Sequence, residues 1–438
     1  MRNSFNVIQH VDKFILTLLA VVISSFSWSQ SAYENILIEE GMPFNYSPCE
    51  PSIAVSLTDP AYVVGGAILD KVYTSADSGR TWVIDTLRSD LGVFGDPCIV
   101  ASPLGSFFYL HLSDPSGKGW SDPSLLDRIV CQTSQDNGKT WSNGEGIGFN
   151  GDKDQDKEWS VVSQDGKCVY TTWTEFDKYN SENASDSTYI LFSKGNKNGE
   201  KWTAPVRLNQ RAGNCLDGDM TVEGAVPASG ADKCIYVSWA FEETIWFDKS
   251  KDDGKTWLEK DIPAATIGGG WDHQIPGLGR ANGMPVTLCD QTGGQFHNRI
   301  YINWADQRNG EDDTDIWVAY SDNEGETWSE AIRVNDDAPG SHQFFTWMTL
   351  DPASGNLYAV FYDRRNYADH QTDVYLATST DGGQTWLNER ISDSPFTPKE
   401  GVFFGDYNNI SANRGVVRPI WTRYENGKMH TFTALINK

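Results

Sequence analysis

Basic residues are scarce in this chain: 35 Lys and Arg stand against 60 Asp and Glu, for a net charge of −25. No lysine or arginine cluster offsets that balance locally. A strongly acidic surface repels nucleic acid and anionic lipid, so neither is an expected partner. An acidic substrate stays open, because a pocket can be basic on an acidic protein. Any CxxC pair is also missing. The seven cysteines (Cys49, Cys98, Cys131, Cys168, Cys215, Cys234 and Cys289) are scattered, which excludes the common zinc and thiol-redox spacings. In an oxidising compartment some of them would pair, and the odd count leaves at least one free. Cys168 and Cys234 occupy matching phrases, GKCVY and DKCIY, and read as buried strand cysteines. Long apolar runs are absent as well. The longest, FILTLLAVVISSF from Phe14 to Phe26, is too short to span a bilayer comfortably, which takes about 20 residues. It follows Arg2 and Lys13 and precedes SWSQS, the layout of a secretory signal peptide over residues 1–30, with a retained anchor as the alternative. The expectation is a secreted or periplasmic protein with one domain over 31–438 and no membrane association after cleavage.

What the chain has in abundance is a repeated turn. SADSGRTW (75–82), SQDNGKTW (134–141), SKDDGKTW (250–257), SDNEGETW (321–328) and STDGGQTW (379–386) recur, with a worn copy, GNKNGEKW, at 195–202. Their starts are 59, 61, 55, 71 and 58 residues apart, and such a period signals a propeller or solenoid. Each copy follows a short alternating run such as DIWVAYS. A second run, such as RIYINWA, lies upstream; a third precedes that and a fourth follows the Trp. Four short strands per unit make a propeller blade. Ser and Asp can accept backbone N–H bonds in the turn, Gly supplies positive φ, and Trp can pack between neighbouring sheets. Six motif-bearing units run from about 51 to 391. Beyond them YNNISA, VVRPIWTR and MHTFTALI supply three strands, and ENILIEE at 34–40 supplies a fourth. The fold is therefore expected to be all-β: a seven-bladed β-propeller whose last blade is closed by the N-terminal strand, with six blades as the alternative.

The pattern S-x-D-x-G-x-T-W is the Asp box, and the chain resembles the Asp-box (BNR-repeat) sialidase-like propeller proteins over nearly its whole mature length. That resemblance implies an exported, glycan-directed propeller. It divides on activity, since Asp boxes occur in sialidases, other glycosidases, receptors and assembly factors. Sialidases would add a Phe-Arg-Ile-Pro motif, which is absent: Arg128, Arg299 and Arg390 precede Ile, but no Pro follows.

If the repeated turn joins the third and fourth strands, the second-to-third loops and the blade connections share the opposite rim. Those loops open with WTEFD, WAFEE, WADQR, YDRRN and WTRY. They set Asp306 beside Arg308, Asp363 beside Arg365, and Arg423 across from Asp406. Converging arginines could clamp a carboxylate or sulfate; the same spacing also suits a repeated ion pair that ties each loop down. The connections GGGWDHQIPGLGRANG, GSHQFF and GDYNN add Trp271, His273, His342 and Tyr407. Asp306, Asp363, Asp406, His273 and Tyr407 are thus the candidates for acid/base roles. Arg308, Arg365, Arg423, His342 and an exposed, sugar-stacking Trp271 are the candidates for substrate binding. DKDQDKE at 152–158 alternates acids like a calcium loop but lacks its glycine. It reads as a solvated acidic loop, with calcium at Asp152, Asp154 and Asp156 as the alternative. No other cofactor is expected. The function expected is glycoside hydrolysis of an extracellular glycan, anionic ones included, by a monomer, with a polysaccharide lyase or a non-catalytic carbohydrate- or protein-binding propeller as alternatives.

Overall fold

The computed structural model describes residues 33–42 and 48–438; the signal segment expected at 1–30 lies outside the described residues. Seven antiparallel sheets follow one another along the chain. The first six are each built from consecutive strands. They begin at the innermost strands Ser52–Val55, Cys98–Ala101, Asp154–Val162, Glu223–Ser229, Val286–Cys289 and Gln343–Leu350. The seventh combines Asn409–Asn413, Val416–Glu425 and Lys428–Ala434 with the N-terminal strand Asn35–Glu40, and Ile436–Asn437 adds a short extra rung. Asn35 pairs with Ala434 and Glu40 with His430, so the chain ends are zipped together and the ring has no gap at its seam. A two-stranded hairpin, Asp272–His273 with Ala281–Asn282, interrupts the connection between the fourth and fifth blades. Among the described residues, no helix is long and apolar enough to cross a membrane.

Burial explains why the second strands read as nearly continuous apolar runs. Ile235–Phe241, Ile300–Asp306 and Leu357–Asp363 are buried at every position, because each is covered on both faces by neighbouring blades. Near the end of this strand a large ring recurs (Trp173, Trp239, Trp304, Tyr362 and Trp421), and each is at most 1% exposed. The fourth strands form the outer wall, and Val83–Thr86 is largely exposed.

The repeated turn does join the third and fourth strands, and it satisfies itself. In the sixth blade Asp381 accepts from Ser379 Oγ at 2.8 Å, Thr385 N at 3.0 Å and Thr385 Oγ1 at 2.6 Å, while Gly383 N donates to Ser379 Oγ. The Trp locks neighbouring blades: Trp257 of the fourth blade meets Phe192 of the third, ring centroids 5.0 Å apart. Gly254 lies at φ 81°, and a Cβ there would sit 2.2 Å from the Phe192 ring, so no other residue fits this turn.

The cysteines do not pair; all seven are free thiols. Cys168 and Cys234 are half-buried rather than buried, since they stand at the outset of their second strands, where the turn-bearing rim admits solvent.

Candidate functional site

The rim opposite the repeated turns holds a central cavity of about 920 Å³. Its lining comes from loops of several blades. Glu50 and Asp96 lie two residues ahead of innermost strands and Lys157 lies within one, Trp120 and Tyr179 come from second-to-third loops, and Arg280 and Phe403 come from blade connections. Glu50, Asp96 and Lys157 share a backbone peculiarity, φ of 51°, 50° and 54°. In each case the chain turns in the left-handed region two residues before the strand position that lines the channel below, which swings the side chain onto the propeller axis. At Lys157 the turn is part of a β-bulge between Asp156 and Trp159.

Lys157 is the hub. Its ammonium lies 2.7 Å from Asp406, 3.1 Å from Asp96 and 4.0 Å from Glu50, with only 6% of the side chain exposed. The Asp96 and Asp406 oxygens on that nitrogen are therefore no more than about 5.8 Å apart, the sum of their two distances. Arg280 grips Asp406 with two donors, Nε at 2.6 Å and Nη2, and reaches Asp217 through Nη1 at 2.8 Å. Asp217 also accepts from Tyr179 Oη at 2.6 Å. Burial works against Asp406, but Arg280 and Lys157 outweigh it and hold its carboxyl well below the usual range. Asp156 has no such partner. Burial pushes it up to about 7, with Asp96 and Asp217 adding to the effect and Lys157 opposing it. Burial likewise raises Glu50, Glu158 and Glu223, with Asp96 adding to the effect at Glu50 and Glu158 and Asp217 at Glu223. The site thus holds a fixed anion beside carboxyls that keep their protons far above the ordinary carboxyl pKa, the contrast that acid/base chemistry uses.

Rings surround the mouth. Trp120 is 62% exposed and Phe403 46% exposed. Trp120 lies 5.6 Å from Tyr179 and 5.9 Å from Phe94, and the Arg280 guanidinium is 5.3 Å from the Phe403 centroid. Beneath the charged cluster the channel is plugged by Trp159, Trp347 and Tyr407, with Trp159 4.2 Å from Trp347 and 4.9 Å from Tyr407. Below the plug a second cavity of about 610 Å³ opens toward the turn-bearing rim.

Of the residues singled out from the sequence, the structure brings Asp406 and Tyr407 to this axis. Asp406 faces Arg280 and Lys157 rather than Arg423. Arg423 lies within the strand Val416–Glu425 and instead binds Asp393 and Ser394 of the connection that leads into the seventh blade. Asp306 is fully buried, accepting from Trp304 Nε1 at 2.8 Å and Arg308 Nε at 2.9 Å, and the Arg308 guanidinium stacks 4.2 Å from Trp317. Asp363 is bound by Arg365 at 2.8 Å, and burial raises it to about 6 against that pull. These two pairs brace their own loops. Trp271 is buried, not exposed: it packs under the hairpin and donates Nε1 to Thr221 O. His273 is buried against Gly270 O, and His342 bonds Thr314 Oγ1. The acidic stretch at 152–158 is no solvated loop. From Asp154 onward it is the innermost strand of the third blade: Asp154 accepts from Tyr179 N and Asp156 from Lys157 N, while Asp152 is exposed. Among the described residues no three His, Cys, Asp or Glu side chains are placed to hold a metal.

No family model matches the chain, and no curated protein matches it by sequence. Solved structures do match. A polysaccharide lyase described as a PL25 ulvan lyase, bound to -[GlcA(1-4)Rha3S]-, is 11% identical with TM-score 0.52, covering 92% of this chain and 96% of that one. A Hadza microbial sialidase is 13% identical with TM-score 0.49, covering 86% and 73%. A Trypanosoma rangeli sialidase is 15% identical with TM-score 0.45, covering 82% of this chain and 55% of its own. The fold is thus a seven-bladed β-propeller whose structural neighbours include a polysaccharide lyase and sialidases.

Proposed function

We propose that the chain is an exported glycoside hydrolase that binds an extracellular glycan in the central cavity. The observation that carries this reading is the neighbouring pair of unlike acids in a ring-lined cavity: Asp156, raised to about 7, and Asp96, held by Lys157. Glycosidic cleavage needs a proton delivered to the leaving oxygen and a carboxylate that either attacks the anomeric carbon or activates water. Asp156 keeps its proton near neutral pH and serves as the acid. Asp96 takes the second role, with 13% of its side chain exposed. Asp406, bound by Arg280 and Lys157, is a fixed counter-charge that keeps both cations in place. Trp120 and Phe403 offer faces to sugar rings.

The test is a glycan panel incubated with the protein and its Asp156→Asn and Asp96→Asn variants, read both for new reducing ends and for unsaturated products. Reducing ends from the parent alone support the assignment. No product from any glycan overturns the enzyme reading.

A second reading has its own observation. Tyr179 and Arg280 meet on the same Asp217 oxygen, at 2.6 and 2.8 Å, and a tyrosine facing an arginine is what base-assisted elimination at a uronic acid requires. The overall fold shared with the polysaccharide lyase agrees with it. Unsaturated products in the same assay, lost in Tyr179→Phe, would establish this reading instead.

A further inference from the structure

A sugar carboxylate or sulfate is recognised by a donor fork that is free to turn toward it. Among the described residues lining the cavity, Arg280 is the one guanidinium, and its fork is filled. Nε and Nη2 bind both oxygens of Asp406, and Nη1 binds Asp217. Lys157 is buried and already taken by Asp406 and Asp96, with the Glu50 carboxyl beside them. Lys399 lines only the exposed lip, where ion pairs are weak and screened by salt. An incoming anion would also meet Asp96 and the field of a chain carrying −25. Stacking on Trp120 and Phe403, by contrast, asks nothing of a sugar's charge.

We infer that the cavity takes glycans lacking carboxylate and sulfate, and that Asp217 is the specificity-determining residue that withholds Arg280 from anionic sugars. This rests on the cavity being the glycan site. Asp217 is suited to the part by its position. It stands outside any strand at φ 54°, holds the one Arg280 donor, Nη1, that Asp406 does not take, and is fixed by Tyr179. Asp406, in contrast, is locked from two sides by Lys157 and Arg280. Replacing Asp217 with Asn keeps the shape and suits the left-handed backbone, which Asn tolerates. It leaves Arg280, which lines the cavity, with an under-compensated charge.

The experiment is titration of intrinsic tryptophan fluorescence, to which Trp120 contributes at the mouth. The neutral probes are cello-, manno- and galacto-oligosaccharides; the anionic ones are oligogalacturonates and carrageenan oligosaccharides. The parent protein should bind at least one neutral series and every anionic one at least tenfold more weakly. Asp217→Asn should tighten the anionic series roughly tenfold and leave the neutral one unchanged. Arg280→Gln added to Asp217→Asn should return the ratio to that of the parent, which separates a freed guanidinium from a general loosening. Anionic binding equal to or tighter than neutral binding in the parent, or no binding by any series, overturns the substrate class. An unchanged ratio in Asp217→Asn overturns the role of Asp217. Hydrolysis is scored separately: neutral binding without product refutes the hydrolase reading and leaves this inference standing.

Discussion

Asp156→Asn should make the protein more stable at alkaline pH while abolishing its activity. Asp156 is a buried carboxyl that, among the described residues, has no cation bonded to it and accepts from Lys157 N at 2.8 Å. Its pKa in the fold is raised from 3.8 to about 7, the reverse of a salt-bridged aspartate. Between those values the folded protein holds a proton that the unfolded chain has released, so stability falls as pH rises. The loss is complete above about pH 7. At 1.36 kcal/mol per pH unit, the full penalty is about 4 kcal/mol. Asparagine keeps the oxygen that accepts from Lys157 N and never ionises. Urea denaturation of parent and variant at about pH 5 and about pH 8.5 gives the two differences to compare. The variant's advantage should grow by about 2–4 kcal/mol between the two conditions. If the group is the acid, the parent's turnover should fall as pH rises through about 7. A stability difference that is the same at both pH values would refute the claim that this carboxyl holds a proton into the neutral range, and the acid assignment would go with it.

Asp381→Ala removes the acceptor of four hydrogen bonds in the sixth repeated turn. It should cost about 1–2 kcal/mol in urea denaturation with turnover unchanged; a loss of turnover without a loss of stability would contradict the structural role of that turn. Deleting residues 1–40 exposes Lys428–Ala434 as a sheet edge. Calorimetry and size-exclusion chromatography should show a lower midpoint and self-association, and an unchanged, monodisperse truncated protein would mean that the seam does not depend on the strand. Burial and the nearby Arg364 push His342 down to about 4, so the imidazole is neutral throughout the neutral range. His342→Gln should leave the pH–rate profile between about 5 and 8 unaltered, whereas a displaced acid limb would show that this histidine titrates in turnover.

The architecture was legible because each blade repeats the same physical problem. The turn between the third and fourth strands must satisfy its own backbone, and the second strand must be apolar on both faces. Both demands leave a mark at a near-fixed spacing. Even the seam could be read, since ENILIEE had no partner but the last strands. The loop arginines were legible as pairs with nearby acids. Sequence alone leaves open whether such a pair faces a ligand or braces its own loop, and the structure shows Asp306 with Arg308 and Asp363 with Arg365 bonded to each other. Trp271 looked available because it sits among glycines, yet the hairpin it precedes folds back and covers it.

The axial cluster was hidden for a different reason. Its members come from residue 50, residue 96, residues 156–157, residue 217, residue 280 and residue 406, so no window of sequence contains two blades' worth of it. Its signal is one of register. The residues two positions ahead of Ser52, Cys98 and Trp159 are Glu50, Asp96 and Lys157, the start of each blade's inner lining. Aligned by the repeated turns, CEPSIA, GDPCIV and DKEWSV place these charges at one equivalent position, where an ordinary blade has no need of charge. The same position holds Gly224 in the fourth blade and Phe345 in the sixth, both again at positive φ, so five of the seven blades use this backbone turn whatever side chain stands there. A polar side chain at a position that architecture alone would fill with glycine or an apolar ring is paid for in desolvation, and here the carboxyls of Glu50, Asp96 and Asp406 gather around the one ammonium of Lys157. Stability gives no reason to gather them, since well-packed apolar side chains of similar size would serve a channel as well or better. The cluster's position at the floor of the ring-lined cavity gives such a reason, the one that the proposed roles of Asp156 and Asp96 supply.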